Sequence, residues 1–164
     1  MLVQPWITGE QRDSLHYLEF VDELRQHGAA PHADMAMLWR RIVFSVMISN
    51  IDDHLRNHGF LYQGVDGWRL APAYDINAVP VDIKPRVLST AIDVDDITAS
   101  LDRALEVAAY FELDHSQTRD IARQIGKAVS TWRLEAARHT VPGRQIDRMA
   151  TAFEHDDLRA ALAL

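Results

Sequence analysis

Apolar residues recur at helical spacing along most of this chain. Over 14–27, Leu15, Leu18, Val21 and Leu24 mark one face, broadened by Tyr17 and Phe20, and predict a helix. Asp13 or Ser14 suits its cap, and Gly28 suits a left-handed residue beyond its end. A linker containing Pro31 follows over 29–33, and Asp34 is the expected cap of a second helix over 34–48. Met35, Leu38, Ile42, Val46 and Met47 form its inner face, which widens towards the end, so this helix should enter the core as it reaches the polar stretch 49–60. The period then shortens. Phe60-Leu61-Tyr62 and Trp68-Arg69-Leu70 flank a glycine-containing connection over 63–67, the pattern of a hairpin. Residues 76–97, with Pro80, Pro85 and a strand-like run over 87–92, read as an ordered but irregular loop. Helical spacing returns over 98–111 (Leu101, Leu105, Ala108) and 116–139 (Ile121, Ile125, Val129, Trp132, Ala136). A last helix over 143–153 breaks at 154–157 and resumes to 164. The fold class expected is mainly α, with one small β-hairpin near the centre.

Composition narrows the function classes. A chain of 164 residues, 48% of them hydrophobic, suits one domain with its own core. No apolar run reaches the length of a membrane span and residues 1–6 lack a basic leader, so no membrane association and a cytoplasmic location are expected. The chain has no cysteine, which excludes disulfide and thiolate chemistry. A net charge of −7 without any basic, aromatic-interleaved cluster disfavours direct nucleic-acid binding. Lys84 and Lys127 are the only lysines, and no glycines lie close enough together to cradle a phosphate.

The stretch Ser49-Asn50-Ile51-Asp52-Asp53-His54-Leu55-Arg56-Asn57-His58 concentrates carboxylates, imidazoles and carboxamides straight after an apolar helix. A loop held by a core is where active-site residues usually sit. Phosphoryl transfer needs a carboxylate to receive the proton of the attacking hydroxyl, and oxygen ligands for magnesium on the phosphates. Protein kinases place these groups as Asp-x-x-x-x-Asn, then a short hairpin, then a second Asp. Asp52 and Asn57 have that spacing, a hairpin follows, and Asp75 lies just beyond it. A lone Asp-x-x-x-x-Asn is weak, but the ordered set is considerably more specific.

Leu38-Trp39-Arg40-Arg41-Ile42-Val43-Phe44, Ile48 to Phe60, and Trp68-Arg69-Leu70-Ala71-Pro72-Ala73-Tyr74-Asp75-Ile76 together resemble the C-terminal lobe of HipA-family serine/threonine kinases, the toxins of bacterial toxin–antitoxin modules. The resemblance runs from about Ser14 to near Ala152, is densest over 38–80 and weakens after Asp96. It implies a helical kinase-like C-lobe (α+β by kinase convention) with catalytic core 14–97 and helical remainder 98–164, behind an irregular lead-in over 1–13. Asp52 would be the catalytic base. Asn57 and Asp75 would hold magnesium on ATP. His54, where a phosphate-contacting lysine is usual, would touch the transferred phosphoryl group. The implied partners are a protein substrate, with aminoacyl-tRNA synthetases the best-known class, and an antitoxin. Two features depart from the general kinase pattern: no arginine precedes Asp52, and the second Asp is embedded as Tyr74-Asp75-Ile76.

A complete kinase also needs an N-lobe with a phosphate-covering loop and a strand lysine. Both lysines here lie downstream of Asp75, so the expectation is a C-lobe alone, incomplete without an N-lobe on a longer chain or a separate partner. Other readings stay open. The lobe could be a catalytically inactive pseudokinase that binds a partner. Asp52, Asn57 and Asp75 could serve only as turn and cap residues. His54 and His58, at i and i+4, could belong to a metal-dependent phosphohydrolase, although no third ligand stands at motif spacing. His58 is expected as a structural histidine, Asp53 and Arg56 as loop-fixing partners, Trp39, Trp68 and Trp132 as core, and Asp93, Asp95 and Asp96 as solvated or capping.

Overall fold

The computed structural model describes residues 16–94 and 96–164. They form eight α-helices and one two-stranded antiparallel sheet, a mainly helical fold with a small hairpin. The first helix, α1 (Tyr17–His27), buries Tyr17, Phe20, Val21 and Leu24. Its cap position is His16; the expected caps Asp13 and Ser14 lie outside the described residues. Gly28 is not left-handed as expected but extended, at φ −75°. It is small for another reason: a Cβ there would lie 2.3 Å from the Leu24 carbonyl oxygen, which accepts the Gly28 N–H.

The second helix, α2 (Pro31–Ile48), is the central element and touches α1, the hairpin and several of the helices that follow. It is apolar on most of its circumference, with Met35, Leu38, Trp39, Ile42, Val43, Val46 and Met47 buried, as a helix enclosed on several sides must be. Trp39 is wholly buried and its indole N–H donates to the Ala104 carbonyl at 2.8 Å, so no polar atom is stranded. Asp34 does not cap this helix. Pro31 already supplies its first residue with Ala30 at the cap position. Asp34 is buried one turn in, where it accepts from Arg69 Nε and Nη2 and from the Leu70 N–H at 2.9–3.0 Å.

That carboxylate fastens the hairpin to α2. Strands β1 (Phe60–Tyr62) and β2 (Trp68–Leu70) pair with Phe60 opposite Leu70 and Tyr62 opposite Trp68, joined through a 3₁₀ turn at 64–66. The Ala29 N–H donates to the Trp68 carbonyl at 2.7 Å, closing the hairpin onto the end of α1. Between 71 and 100 the described residues form no helix or extended strand; the strand-like run makes only isolated bridges, Val87 with Thr98 and Ala91 with His16.

The expected helix over 98–111 is shorter, α3 (Leu101–Glu106), followed by a 3₁₀ turn over 108–111, and Ser100 rather than an aspartate caps it. Asp96 instead accepts from the Thr98 N–H and Arg103. The expected long helix over 116–139 divides at Thr131 into α4 (His115–Ser130) and α5 (Trp132–Arg138). Ser130 and Thr131 turn their hydroxyls onto the carbonyls of Lys127 and Ala128 at 2.8 Å, competing with the helical bonds there. Trp132 and Trp68 are only half-buried, not full core residues. The last expected helix divides into α6 (Gly143–Arg148) and α7 (Ala150–Phe153), and α8 (Asp156–Ala163) follows the expected break. α8 packs on α4, with Ala161 so close to Gly126 that a Cβ there would lie 3.1 Å from the alanine methyl. Among the described residues no helix is long and apolar enough to cross a membrane.

Candidate active site

The polar stretch begins where α2 ends. Ser49 adopts a left-handed conformation (φ 54°) that turns the chain out of the helix, and its N–H bonds back to the Ser45 and Val46 carbonyls. Its hydroxyl is shared between the Ala152 carbonyl at 2.9 Å and Arg86 Nε at 3.1 Å. Asn50, also buried, donates to Ser45 Oγ at 3.1 Å and accepts the Asn77 N–H at 3.1 Å. Residues 55–57 then form a single 3₁₀ turn.

Beneath this loop lies a buried polar cluster. Asp53 accepts from Tyr17 Oη at 2.6 Å and Ser45 Oγ at 3.3 Å, and His58 Nε2 lies 3.0 Å from its other oxygen. Burial by itself would push the Asp53 carboxyl up, but His58, Tyr17 and Ser45 outweigh it and hold the group below its ordinary range. Burial, reinforced by Asp53, raises the Tyr17 hydroxyl well above its ordinary value. The His58 ring is further enclosed by Tyr17 and Phe20, with centroids 5.7 and 5.1 Å away. Asp53 and His58 are therefore structural, as the sequence suggests. Arg56 is exposed, and it is its carbonyl that fixes the loop, by accepting from Tyr74 Oη at 2.8 Å.

Asp52 points the other way. It is exposed, and Ser89 Oγ lies 3.5 Å from its Oδ1 while bonding the Ile51 carbonyl at 3.0 Å. Asn57 is buried, and its Nδ2 donates to the Asp52 carbonyl at 3.2 Å. A flipped amide would set oxygen against oxygen, so this bond leaves Oδ1 as the end able to accept a ligand. His54 is half-buried, with Nδ1 enclosed and without a hydrogen-bond partner.

Asp75 sits on a strap that is tied to the loop on both sides. Tyr74 reaches Arg56, Asn77 reaches Asn50, and the Val79 N–H reaches the Ser49 carbonyl at 3.2 Å. At the start of the strap Arg41 of α2 donates Nη2 to the Ala71 carbonyl, while its Nε and Nη1 are buried without partners. Burial lowers the Arg41 pKa against the opposing pull of Asp53, Asp34 and Tyr74, yet a guanidinium starts so high that it stays charged. Asp75 itself is exposed, has φ 55°, and accepts from Asn77 Nδ2 at 2.9 Å through one oxygen. The described residues thus join Asp52 directly to Asn57, whereas Asp75 is tied to the loop through its neighbours Tyr74, Asn77 and Val79. Sequence reading passed over Ser89, Asn77 and Arg41 as parts of this region. Asn77, two residues after Asp75, could have been suspected as an Asx-type partner; nothing local marks Ser89, which arrives through the irregular loop.

Asn57 and Asp75 each carry a hard oxygen donor, the type that suits magnesium rather than a softer metal. Among the described residues no three His, Cys, Asp or Glu side chains gather as a metal site. His58 is buried against Asp53, and with His54 it belongs to no such group of three among the described residues.

Comparison with known proteins agrees with the motif pattern. A family model described as HipA-like C-terminal domain matches residues 5–132. A putative kinase of Haemophilus influenzae is 28% identical over 86 residues, 52% of this chain and 24% of that protein. The chain thus spans about a quarter of the length of that relative.

Proposed function

From the premise that this chain belongs to the family of HipA-like C-terminal domains and is related to kinases, we propose that it is the catalytic lobe of a protein serine/threonine kinase. In this reading it acts within a toxin–antitoxin pair and moves the γ-phosphoryl group of ATP to a Ser or Thr hydroxyl. The observation that supports it most is the bond from Asn57 Nδ2 to the Asp52 carbonyl. It ties the Asn57 amide to the backbone of the residue that carries the exposed carboxylate, on a loop laced to the strap that carries Asp75.

Asp52 accepts the proton of the acceptor hydroxyl as its oxygen bonds to the γ-phosphorus and the bond to the bridging oxygen of ADP breaks. Asn57 Oδ1 and the free oxygen of Asp75 would hold magnesium, which when bound neutralises phosphate charge. His54, with Nδ1 enclosed, presents its other ring nitrogen as a donor to the phosphoryl oxygens. The ATP-covering groups come from an N-lobe, on a longer chain or a separate protein. The protein substrate is of the class that the family phosphorylates, and the antitoxin restrains the pair.

The test is phosphoryl transfer to a protein acceptor with an N-lobe of the family supplied. Asp52→Asn should lower the rate by about 10²- to 10⁴-fold, the usual worth of a positioned base. A rate near that of the unaltered protein would replace this reading with the partner-binding pseudokinase.

A further inference from the structure

Helices α5, α6 and α7 pack together around an open groove of about 850 Å³. Its apolar lining is Trp132, Ala136, Val141, Ile146, Met149 and Phe153. All but Trp132 lie outside the residues that match the family model. The Trp132 ring stacks on Phe153 with centroids 4.4 Å and planes 11° apart, and the Arg133 guanidinium stands 4.7 Å from the same indole. The walls are therefore built, yet Trp132, Met149 and Phe153 are only half-buried and Val141 is exposed. A contiguous apolar concavity of this kind is the usual mark of an interaction site.

The charges around it select the occupant. The chain as a whole carries −7, but the groove's charged lining is Arg144 and Arg148 against Glu135. Glu135 is engaged by Arg138 at 2.6 Å, and Arg148, among the described residues, only by Asp82 at 3.3 Å, with the Arg148 and Asp82 side chains more than half exposed. Such an exposed pair exchanges at little cost. Arg144 makes no ion pair among the described residues. The walls also decide the backbone of the occupant. They are helices whose peptide groups bond internally, so an extended strand would find no ladder to join, whereas a helix satisfies its own backbone and lays an apolar face into a groove.

We propose that this groove docks an acidic amphipathic helix of another protein, its apolar face on Trp132, Met149 and Phe153 and its carboxylates on Arg144 and Arg148. The proposal stands apart from the phosphoryl-transfer reading, since none of these side chains belongs to the Asp52 loop.

The test exposes the full chain to a phage-displayed library of random 16-residue peptides and measures the best binder, labelled, by fluorescence anisotropy. Selected peptides should carry Asp or Glu with apolar residues at helical spacing. Arg144→Glu with Arg148→Glu should weaken the labelled peptide at least ten-fold, Met149→Glu should abolish binding, and Met149→Leu should stay within about three-fold, with melting curves checking the fold of each variant. If Met149→Glu fails to fold, the arginine pair, being exposed, carries the test alone. Basic peptides, sequences without a common pattern, or binding that ignores the arginine reversal would overturn the proposal. So would a dimer in sedimentation that the arginine reversal dissolves, because the groove would then belong to a second copy.

Discussion

At the residue scale the candidate site divides two adjacent carboxylates between opposite tasks. Asp53 turns inward to Tyr17, Ser45 and His58, and Asp52 is left to the solvent with Ser89 beside it. Because the folded pKa of Asp53 lies below its unfolded value of about 3.9, the unfolded chain binds the proton first. Its contribution to stability is present above that value and is lost as pH falls through the lower folded one. Urea unfolding from pH 6 down to pH 2 should therefore show a stability gap between the unaltered protein and Asp53→Asn that closes below about pH 4; a gap independent of pH would mean the carboxylate is not the source. Asp75 offers a cleaner separation of backbone from chemistry. Its φ of 55° is a conformation that Asp and Asn tolerate and most residues resist by about 1–2 kcal/mol. Under the proposed function Mg-ATP should raise the melting temperature slightly; Asp75→Asn should melt within a degree or two of the unaltered protein while losing that rise, whereas Asp75→Ala should lose both stability and the rise. A rise retained in Asp75→Asn would remove Asp75 from the metal site.

At the scale of elements, α2 acts as the template for everything the loop needs. Asp34 holds β2, Arg41 holds the Ala71 end of the strap, and Ser49 and Asn50 hold its far end. The hairpin is pressed against the end of α1 so closely that its two glycines have different fates. Gly67 has φ 103° and a Cβ there would stand 2.4 Å from the His27 carbonyl oxygen, while Gly64 has φ 72° and open space around it. Gly67→Ala should cost about 2–3 kcal/mol in chemical denaturation, and Gly64→Asn less than about 1 kcal/mol. Equal costs at the two positions would show that the contact with His27 is not what holds the hairpin.

At the scale of the whole molecule, the C-terminal helices brace the Asp52 loop from behind. Arg86 bonds Ser49 Oγ, the Val46 carbonyl and Asp157, and Asp157 also accepts the Leu101 N–H at 2.8 Å. His155 lies 3.1 Å from the Met47 carbonyl, and burial, assisted by the Arg86 charge, lowers its pKa below 6.5 against Asp157 and two carbonyls. A depressed histidine stabilises the fold above its unfolded pKa and loses that contribution as pH falls through the folded one. Melting temperature should thus decline from about pH 6.5 downward, and His155→Gln should flatten this limb. An unchanged limb would place the titration elsewhere.

Much of this was written locally. The 3.6-residue period of α1, α2 and α4 and the glycine-bearing connection of the hairpin need only near neighbours, so the sequence by itself determined the helical class, the hairpin and the Asp52-to-Asn57 spacing. It misplaced what depends on distant partners. Asp34 looked like a cap because its role is set by Leu70 and Arg69, thirty-six and thirty-five residues away. The break at Thr131 turns on hydroxyls choosing helical carbonyls over solvent, and the irregular segment 71–100 carries no period from which Ser89 beside Asp52, or Arg86 beneath Ser49, could be read. Resemblance could assign Asp52 and Asp53 different roles, but only the tertiary structure shows what separates them, because burial and hydrogen-bond partners, not residue type, hold Asp53 to the core and leave Asp52 to solvent.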